Sequence, residues 1–311
     1  MNLIPIVIIN YNGAELLRRY LDSVLETDYP EKEVIVIDNG SKDESVSYLM
    51  EKGVKTIQLG RNYGPAYARN VALKTFKTKY MAFLDNDVMT PKDWLYPLLE
   101  SIEGKENIAA CQSLYGNWPY PEHPREVPWF STASALTRRE VISKLGGFDE
   151  HYFFYWEDAE LSWRLYRAGY KVLMVPKSKV YHEVHGTFKK LPSPFTSYLF
   201  LRNQLLLLAT YYDKKRLLTT FPALLMVRLF QITRGVNKLA RLRAILSLIP
   251  ETKYLLKKRS DLKKITVDSS DSFLQMMGDE VFGYSEFRSM IEGINKKLKG
   301  RGHIELQDDN R

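Results

Sequence analysis

The chain carries two aspartates separated by one residue, directly after an apolar run. The run covers residues 80–84, and Asp85, Asn86 and Asp87 follow it. An apolar run that ends in an abrupt polar switch predicts a buried strand. Two carboxylates at the end of such a strand suit a divalent cation such as Mg²⁺ or Mn²⁺. The alternative is a polar turn before a helix that starts near Thr90, because aspartate and asparagine favour turns and helix caps.

A second acidic pair, Glu157 and Asp158, precedes apolar residues at helical spacing in a pattern that ends at Gly169. This pattern predicts a helix whose N-terminus carries both acids, a position that the helix dipole favours. Acids at the start of a helix are common without any chemistry. His182 follows a predicted strand over residues 171–175 and a turn at Pro176. A lone histidine is more often structural or exposed than a ligand.

Polar residues also follow the other predicted strands. Apolar strands over residues 5–10, 34–37 and 56–59 end in polar turns, and Ala14–Leu25 has helical spacing. Apolar strands that alternate with helices predict a mostly parallel α/β sheet covered on both faces. Ligands bind at the carboxyl ends of the strands in such sheets, so we expect one site there. The clustered polar residues are Asn10, Tyr11, Asn12, Asp38, Arg61 and Asp85.

In their order and spacing these motifs resemble the family 2 glycosyltransferases, which have the nucleotide-sugar-binding GT-A fold. The resemblance runs from about Ile4 to about Thr187, and the closest likeness is to rhamnosyltransferase-like members that elongate cell-surface glycans in bacteria and archaea. It implies a mostly parallel central sheet flanked by helices, with a C-terminal helical appendage. The motifs are Val-Ile-Ile-Asn-Tyr-Asn (7–12), Val-Ile-Asp-Asn-Gly-Ser (36–41), Arg-Asn-Tyr-Gly (61–64), Ala-Arg-Asn (68–70), Asp-Asn-Asp (85–87), Gly-Gly-Phe-Asp-Glu (146–150) and Trp-Glu-Asp-Ala-Glu-Leu (156–161).

The resemblance implies a nucleoside diphosphate sugar as donor, linked to UDP or dTDP. Tyr11 would stack on the pyrimidine, Asp38 would accept a hydrogen bond from the base N3–H, and Asp85 would hold the ribose hydroxyls. Without the resemblance, Tyr11 is a strand-end aromatic and Asp38 a turn residue. Arg61 or Arg69 would add charge near the diphosphate, or be ordinary solvated arginines. The implied donor-binding residues are Asn10, Tyr11, Asn12, Asp38, Arg61, Asn62, Gly64, Arg69, Asp85 and Asn86.

The resemblance further implies a Mn²⁺ or Mg²⁺ cofactor. Asp87 would be the main ligand of the metal, which would bridge the two phosphates, with Asp85 and His182 as further ligands. Family members often carry a histidine at the third position of the Val180-Tyr181-His182 motif. His185 occupies a position that is more often a small residue.

Asp158 matches the family's general base, which takes the proton from the acceptor hydroxyl during an inverting displacement. Glu157 is the next candidate for that role. The implied acceptor-binding residues are Trp129, Gly147, Phe148, Asp149 and Trp156.

Two departures from the family pattern limit what the resemblance implies. Residues 130–134 read Phe-Ser-Thr-Ala-Ser where relatives usually have Gly-Ala near the donor sugar and acceptor. The identity of the sugar is therefore open. Processive members carry Gln-x-x-Arg-Trp after the base, and residues 231–235 lack that tryptophan and lie well downstream. The pattern favours a non-processive enzyme.

Composition is consistent with a catalytic domain over residues 1–195, a basic helical segment over 196–264 and a polar, helical tail over 265–311 whose end is expected to be disordered. The single cysteine, Cys111, excludes an internal disulfide framework and fits a reducing compartment. Residues 1–10 already have the pattern of a strand, which is unlike a signal peptide. We therefore expect a cytoplasmic protein on the inner face of the cell membrane.

The basic segment carries the strongest charge in the chain. Between Tyr198 and Lys264 there are 15 lysines or arginines against 3 aspartates or glutamates, a net charge of +12, among many leucines. Basic, leucine-rich helices favour the surface of an anionic membrane, with Lys257, Lys258 and Arg259 among the contacts. The alternatives are helices that pack on the catalytic domain, or a patch that binds a polyanion. No nucleic-acid-binding module accompanies the charge, so nucleic acid is the least favoured partner.

Two other functions are compatible with an α/β sheet that ends in carboxylates. A sugar nucleotidyltransferase would carry a glycine-rich basic phosphate loop after the first strand, and residues 10–13 do not form one. A non-catalytic membrane-bound module that binds nucleotides or glycans would not need Asp85, Asp87 and Asp158, all of which are present. The predicted partners are thus a nucleoside diphosphate sugar, a glycan or lipid-linked acceptor and an anionic membrane.

Overall fold

The computed structural model describes residues 3–115, 122–183, 193–234, 236–267 and 271–276. Its first half alternates strands with helices, as the apolar periodicity predicts. The strands are β1 (Ile4–Asn10), β2 (Lys32–Asp38), β3 (Lys55–Gln58) and β4 (Tyr80–Asp85), and the helices are α1 (Ala14–Leu25), α2 (Ser45–Glu51) and α3 (Pro65–Thr75).

Parallel pairing brings the polar strand ends together. β1 pairs with β2 so that Asn10 lies opposite Asp38, and it pairs with β4 so that Ile9 lies opposite Asp85. Because all three strands run in the same direction, the residues after them lie at one edge of the sheet. The sheet is covered on both faces, since β1 and β4 are almost wholly buried. The predicted mixed α/β fold is confirmed.

The second half extends the same sheet with both antiparallel and parallel pairs, since β6 and β9 run parallel to each other. β8 lies antiparallel between β4 and β6, and the order is β3-β2-β1-β4-β8-β6-β9-β5, with β7 paired to β9. The strands are β5 (Val88–Met89), β6 (Ile108–Tyr115), β7 (Arg125–Glu126), β8 (Ser134–Arg138) and β9 (Lys171–His182). The helices are α4 (Leu95–Ile102), α5 (Arg139–Lys144) and α6 (Glu157–Arg167), with a 3₁₀ turn at Glu150–Tyr152.

One predicted break is absent. The sequence favoured a strand that stops before a turn at Pro176, but β9 continues through that proline to His182. Its pairing with β6 shifts register between the Val175 and Lys179 partners, which accommodates a residue without a backbone N–H. The longer strand then pairs with β5, with Val88 opposite His182. This pairing places His182 beside the Asp85–Asp87 turn.

The C-terminal helices pack against the α/β body. α7 is buried at Leu199 and from Leu201 to Tyr211, and its leucines share one apolar core with the sheet and α6. The helices are α7 (Ser193–Tyr211), α8 (Lys214–Leu218), α9 (Thr220–Arg234), α10 (Lys238–Leu246), α11 (Thr252–Ile265) and α12 (Ser272–Met276). None of the helices in the described ranges is long and apolar enough to cross a membrane.

Two basic residues expected at a membrane surface instead face the protein. Lys258 forms ion pairs with Asp149 and Glu160. Arg259 donates to the carbonyl oxygens of Ala209, Thr210 and Tyr212 at the end of α7. The prediction of membrane contact is therefore wrong for these two side chains, because buried carboxylates and carbonyls bind them. Lys257 is exposed.

Candidate active site

A cavity of about 290 Å³ opens where β1 and β4 end and α6 begins. It contains residues from both acidic motifs and from the first strand-end turn. Its lining comprises Ile9, Tyr11, Asn39, Asn62, Pro65, Arg69, Asp85, Asn86, Asp87, Ser131, Thr132, Ala133, Phe153, Phe154, Tyr155, Trp156, Glu157, Asp158 and His182. The structure thus joins predicted site residues that lie far apart in the sequence.

Asp85, Asp87 and His182 form a group whose ligand atoms all lie within 4.8 Å of one another. The Nε2 atom of His182 is 3.1 Å from Oδ1 of Asp87 and 4.0 Å from Oδ2 of Asp85. The backbone fixes this geometry, because the Glu183 amide donates to the Asp87 carbonyl at 3.0 Å. The three residues predicted as metal ligands therefore meet at one point.

The chemistry of this group fits a divalent cation. Two carboxylates supply the oxygen ligands that Mn²⁺ and Mg²⁺ take, and an imidazole nitrogen is a further ligand for a transition metal. Burial lowers the pKa of His182, but the hydrogen bond to Asp87 and the charges of Asp85 and Asp87 outweigh it, so the pKa is raised. The raised pKa reflects the negative charge that Asp85 and Asp87 concentrate at this point.

The buried strand ends are tied together by side-chain hydrogen bonds. Asn86 donates to Asn10 at 2.8 Å, and Asn10 donates to Asp38 at 3.2 Å. The other oxygen of Asp38 accepts from the Ser41 amide at 3.0 Å, which is the turn contact expected of it. Asn10 and Asp38 are buried and do not line the cavity. They hold the cavity wall in place.

Asn39 belongs to the motif over residues 36–41, but it was not predicted to be a site residue. It lines the cavity, and its side chain bonds to Asn62 at 3.0 Å and accepts from the Tyr63 amide at 3.0 Å. Asn12 lies outside the lining and accepts from the Lys42 amide at 2.7 Å. These contacts order the turns on either side of Tyr11, which does line the cavity.

Of the two arginines predicted near the diphosphate, only Arg69 lines the cavity. Its side chain is 5% exposed, donates to Glu157 at 2.8 Å and lies 3.4 Å from Asp85. Arg61 is exposed and lies over the Tyr63 ring. Gly64 also lies outside the lining. Its φ is +85°, and a Cβ at this position would lie 2.5 Å from the Phe153 carbonyl oxygen, so glycine is required there.

Asp158 begins α6 together with Glu157 and lines the same cavity. One of its oxygens accepts from the Ala159 amide at 2.8 Å. Burial raises the pKa of Asp158, the Glu157 carboxylate raises it further and Arg69 lowers it, with a result of about 7. A carboxylate with a pKa near neutrality is well suited to general base catalysis.

A strained loop delivers these acids to the cavity. Phe153, Tyr155 and Trp156 have φ angles of 56°, 71° and 67°, which bulky side chains rarely adopt. Asn203 on α7 donates to the carbonyls of residues 152, 154 and 155 at 2.6, 2.8 and 3.0 Å. The only sequence signal for Asn203 is a polar residue inside the apolar helix that α7 forms. Its partners could not be predicted.

The structure places only some of the residues predicted to bind the acceptor at the cavity. Trp156 lines the cavity. The centre of the Trp129 ring lies 6.4 Å from the centre of the Trp156 ring. Phe148 is in the core, and its backbone exchanges two hydrogen bonds with Asn70.

Gly147 adjoins the same asparagine, since a Cβ there would lie 2.4 Å from the Asn70 side-chain oxygen. Burial raises the pKa of Asp149, but the charge of Lys258 and its hydrogen bond outweigh this and lower the pKa. Neither Gly147 nor Asp149 lines the cavity. His185 lies outside the described residues.

Comparisons with known proteins match this chain to glycosyltransferases. The sequence model for glycosyl transferase family 2 matches residues 6–159, and that for glycosyl transferase family group 2 matches residues 121–237. The chain is 30% identical over 207 residues to the pre-mycofactocin glycosyltransferase of Mycobacterium tuberculosis, covering 58% of this chain and 42% of that protein. It is 26% identical over 247 residues to the N-acetylglucosaminyl-diphospho-decaprenol L-rhamnosyltransferase of the same organism, covering 60% and 78%. The chain thus spans less than half the length of the first relative.

Two solved structures show the same fold. The crystal structure of GalNAc-T7 with UDP, GalNAc and Mn²⁺ matches with a TM-score of 0.61 at 19% identity, covering 73% of this chain and 51% of that one. The mannosyltransferase from Pyrobaculum calidifontis in complex with GDP-Man and Mn²⁺ matches with a TM-score of 0.55 at 17% identity, covering 93% and 83%. The GT-A fold predicted from the sequence is confirmed.

Proposed function

The chain belongs to glycosyltransferase family 2, and on that premise we propose that it is an inverting, metal-dependent enzyme of cell-surface polysaccharide or glycoconjugate synthesis. It transfers a sugar from a UDP- or dTDP-linked donor to a hydroxyl of a glycan or lipid-linked acceptor. One observation carries the proposal: Asp158 lines the same cavity as the Asp85–Asp87–His182 group. The missing tryptophan in residues 231–235 supports transfer of one sugar at a time.

The donor nucleotide occupies the part of the cavity nearest β1 and β2. Tyr11 stacks on the base, as strand-end aromatics can. Asp38 is buried behind the cavity wall, where it accepts hydrogen bonds from Asn10 and the Ser41 amide, so it supports the base pocket indirectly. Arg69 provides positive charge on the side of the diphosphate.

Asp87, Asp85 and His182 would hold a Mn²⁺ or Mg²⁺ ion next to the diphosphate. When bound, such an ion neutralises the charge that grows on a departing diphosphate. The convergence of the three ligand atoms within 4.8 Å supports this assignment. Both fold neighbours named above were solved with Mn²⁺, so we favour that metal.

Asp158 acts as the general base. Its carboxylate takes the proton of the acceptor hydroxyl while that oxygen attacks the anomeric carbon, and the bond from this carbon to the diphosphate oxygen breaks. Attack on the face opposite the leaving group inverts the anomeric configuration. Glu157 is the weaker candidate, because its carboxylate is already bound to Arg69 at 2.8 Å.

We also propose that the enzyme contacts the inner face of the cell membrane through α10. This helix exposes Leu239, Leu242 and Leu246, which are 62%, 37% and 54% exposed and lie along one face at helical spacing. The net charge of the segment supports attraction to anionic lipid. We propose this surface as the membrane contact in place of Lys258 and Arg259, because those two side chains have partners inside the protein.

The enzymatic proposal is tested by incubating the purified chain with a panel of nucleoside diphosphate sugars in Mn²⁺, with and without candidate acceptors. We expect release of the nucleoside diphosphate from one UDP- or dTDP-linked sugar, and a product whose anomeric configuration is inverted. Activity with none of the donors under metal-replete conditions, or retention of configuration, would contradict it.

The membrane proposal is tested separately by cosedimentation with vesicles. Leu239→Glu with Leu246→Glu should reduce binding to anionic vesicles, and the exposed control Met50→Glu should not. Equal loss in both variants would contradict a specific α10 contact.

A further inference from the structure

A second cavity of about 270 Å³ lies between α7, α9 and α10 and borders the active site. Tyr155 lines both cavities and separates them. Asp158, the proposed base, is three positions further along the chain. A molecule with its reactive hydroxyl at Asp158 could therefore extend past Tyr155 into this second space.

The second cavity has the lining of an anion site. Its described lining residues include two arginines, Arg228 and Arg241, and no aspartate or glutamate. Arg228 donates to Gln231 at 2.8 Å and to Gln204 at 3.2 Å, so two amide oxygens orient its guanidinium. Both arginines are partly buried, which strengthens their attraction to an anion compared with that of solvated arginines.

The boundary between the cavities is aromatic. The ring of Phe200 lies 5.4 Å from the Tyr155 ring and 5.3 Å from the Trp156 ring. Ligand sites commonly combine apolar and aromatic walls with a few placed polar groups that fix the orientation. Here the rings lie at the boundary between the cavity of Asp158 and that of the two arginines, beside the path that the body of an acceptor sugar would take.

We propose that this second cavity, the anion pocket, binds the phosphate or diphosphate group of the acceptor. The acceptor class is then a sugar esterified to phosphate or diphosphate, with its reactive hydroxyl at Asp158 and its anionic end at Arg228 and Arg241. Arginine guanidinium groups suit this role because they bind phosphate oxygens with paired hydrogen bonds. The assignment of the hydroxyl rests on the proposed function, whereas the binding of the anion does not.

The anion pocket is tested with inorganic pyrophosphate as the probe, titrated calorimetrically into the full chain in excess chelator. Without metal, the carboxylates of the active site repel the probe. Losing one charged hydrogen-bonding partner should weaken binding by about tenfold or more in Arg241→Gln and in Arg228→Gln. Arg243→Gln is the matched control on the same helix, since Arg243 is exposed and outside the lining, and its affinity should equal that of the wild type. No binding by the wild type, or equal affinity in all variants, would overturn the proposal.

A second comparison separates an acceptor phosphate from a lipid headgroup. Transfer from the active donor is measured to a sugar diphosphate with a short soluble alkyl chain and to the matching alkyl glycoside. We expect Arg241→Gln to lower kcat/KM for the diphosphate by about tenfold or more and to remove its advantage over the glycoside. Arg241→Gln and Arg243→Gln each remove one charge from α10 and should bind phosphatidylglycerol vesicles equally well, whereas a loss in Arg241→Gln beyond that in Arg243→Gln would assign the pocket to a headgroup and overturn the proposal. If transfer fails with every acceptor while pyrophosphate binding still depends on Arg241, the proposed function fails and the anion pocket stands.

Discussion

Arg69 Nη1 donates to the Glu157 carboxylate at 2.8 Å, across 88 residues of sequence. Both side chains are buried, and the other terminal nitrogen of Arg69 lies 3.4 Å from Asp85. One arginine thus joins Asp85 at the end of β4 to Glu157 at the start of α6. Because the Glu157 carboxylate is bound by Arg69 in this way, the adjacent Asp158 is the carboxylate left to accept a proton.

This relationship predicts a strong coupling between the two residues. Arg69→Met should lower the free energy of unfolding by about 3 kcal/mol or more, because it leaves a buried carboxylate without its partner. Adding Glu157→Gln should restore much of that loss, as a double-mutant cycle in denaturant would show. Arg61→Met is the control, since Arg61 is exposed and outside the cavity. Additive effects of the two substitutions would contradict the pairing.

The pH dependence of turnover should report Asp158. Its pKa of about 7 lies above the ordinary aspartate value, and the base is active only when ionised, so turnover should fall as the pH falls through that value. Glu157→Gln removes a charge that raises this pKa, so the acid limb should move to lower pH. Measurement of kcat against pH for both enzymes checks this. A shift of the acid limb to higher pH in Glu157→Gln would contradict the assignment.

Metal binding should depend on the group at the end of β4. Asp87→Ala and His182→Gln should each weaken Mn²⁺ affinity, measured by calorimetry without donor, because each removes one of three convergent ligands. Asp28→Ala removes an exposed carboxylate elsewhere and serves as the control. Mn²⁺ affinity that is equal in all three variants would place the metal elsewhere, and full activity of the wild type in excess chelator would contradict metal dependence.

Asn203 should matter for catalysis without touching substrate. Asn203→Leu removes the donor of one buried and two partly buried carbonyls, a loss of about 1–3 kcal/mol at most for the buried one, and loosens the loop that carries Trp156. We expect lower stability and a lower kcat. Thr210→Val removes a buried hydroxyl that bonds only within α7 and should keep kcat. If both variants keep the wild-type kcat, the loop does not depend on Asn203.

The strand-end motifs could be predicted from sequence because they depend on local patterns. Asp85 and Asp87 follow directly from an apolar run, and parallel strands bring such turns to one edge. His182 could be placed by its motif, but its distance to Asp87 depends on β9 continuing through Pro176.

Contacts over long sequence separations could not be predicted. No local signal indicates that Arg69 pairs with Glu157, or that Lys258 lies inside the protein against Asp149. The net charge of the C-terminal segment favoured contact with an anionic membrane, but charge alone does not reveal which side chains have buried partners. Helical periodicity likewise gave no indication of the second cavity, since its lining comes from three helices and one loop.

The most direct test of the proposed mechanism is Asp158→Asn, which keeps the size of the side chain and removes the base. We predict a fall in kcat of roughly 10²–10⁴-fold, the range for a positioned general base, with the donor affinity almost unchanged. Transfer rates and calorimetric donor binding should be measured on the same preparations, alongside Glu157→Gln. If Asp158→Asn turns over like the wild type while Glu157→Gln is inactive, the base is Glu157 and the central claim is wrong.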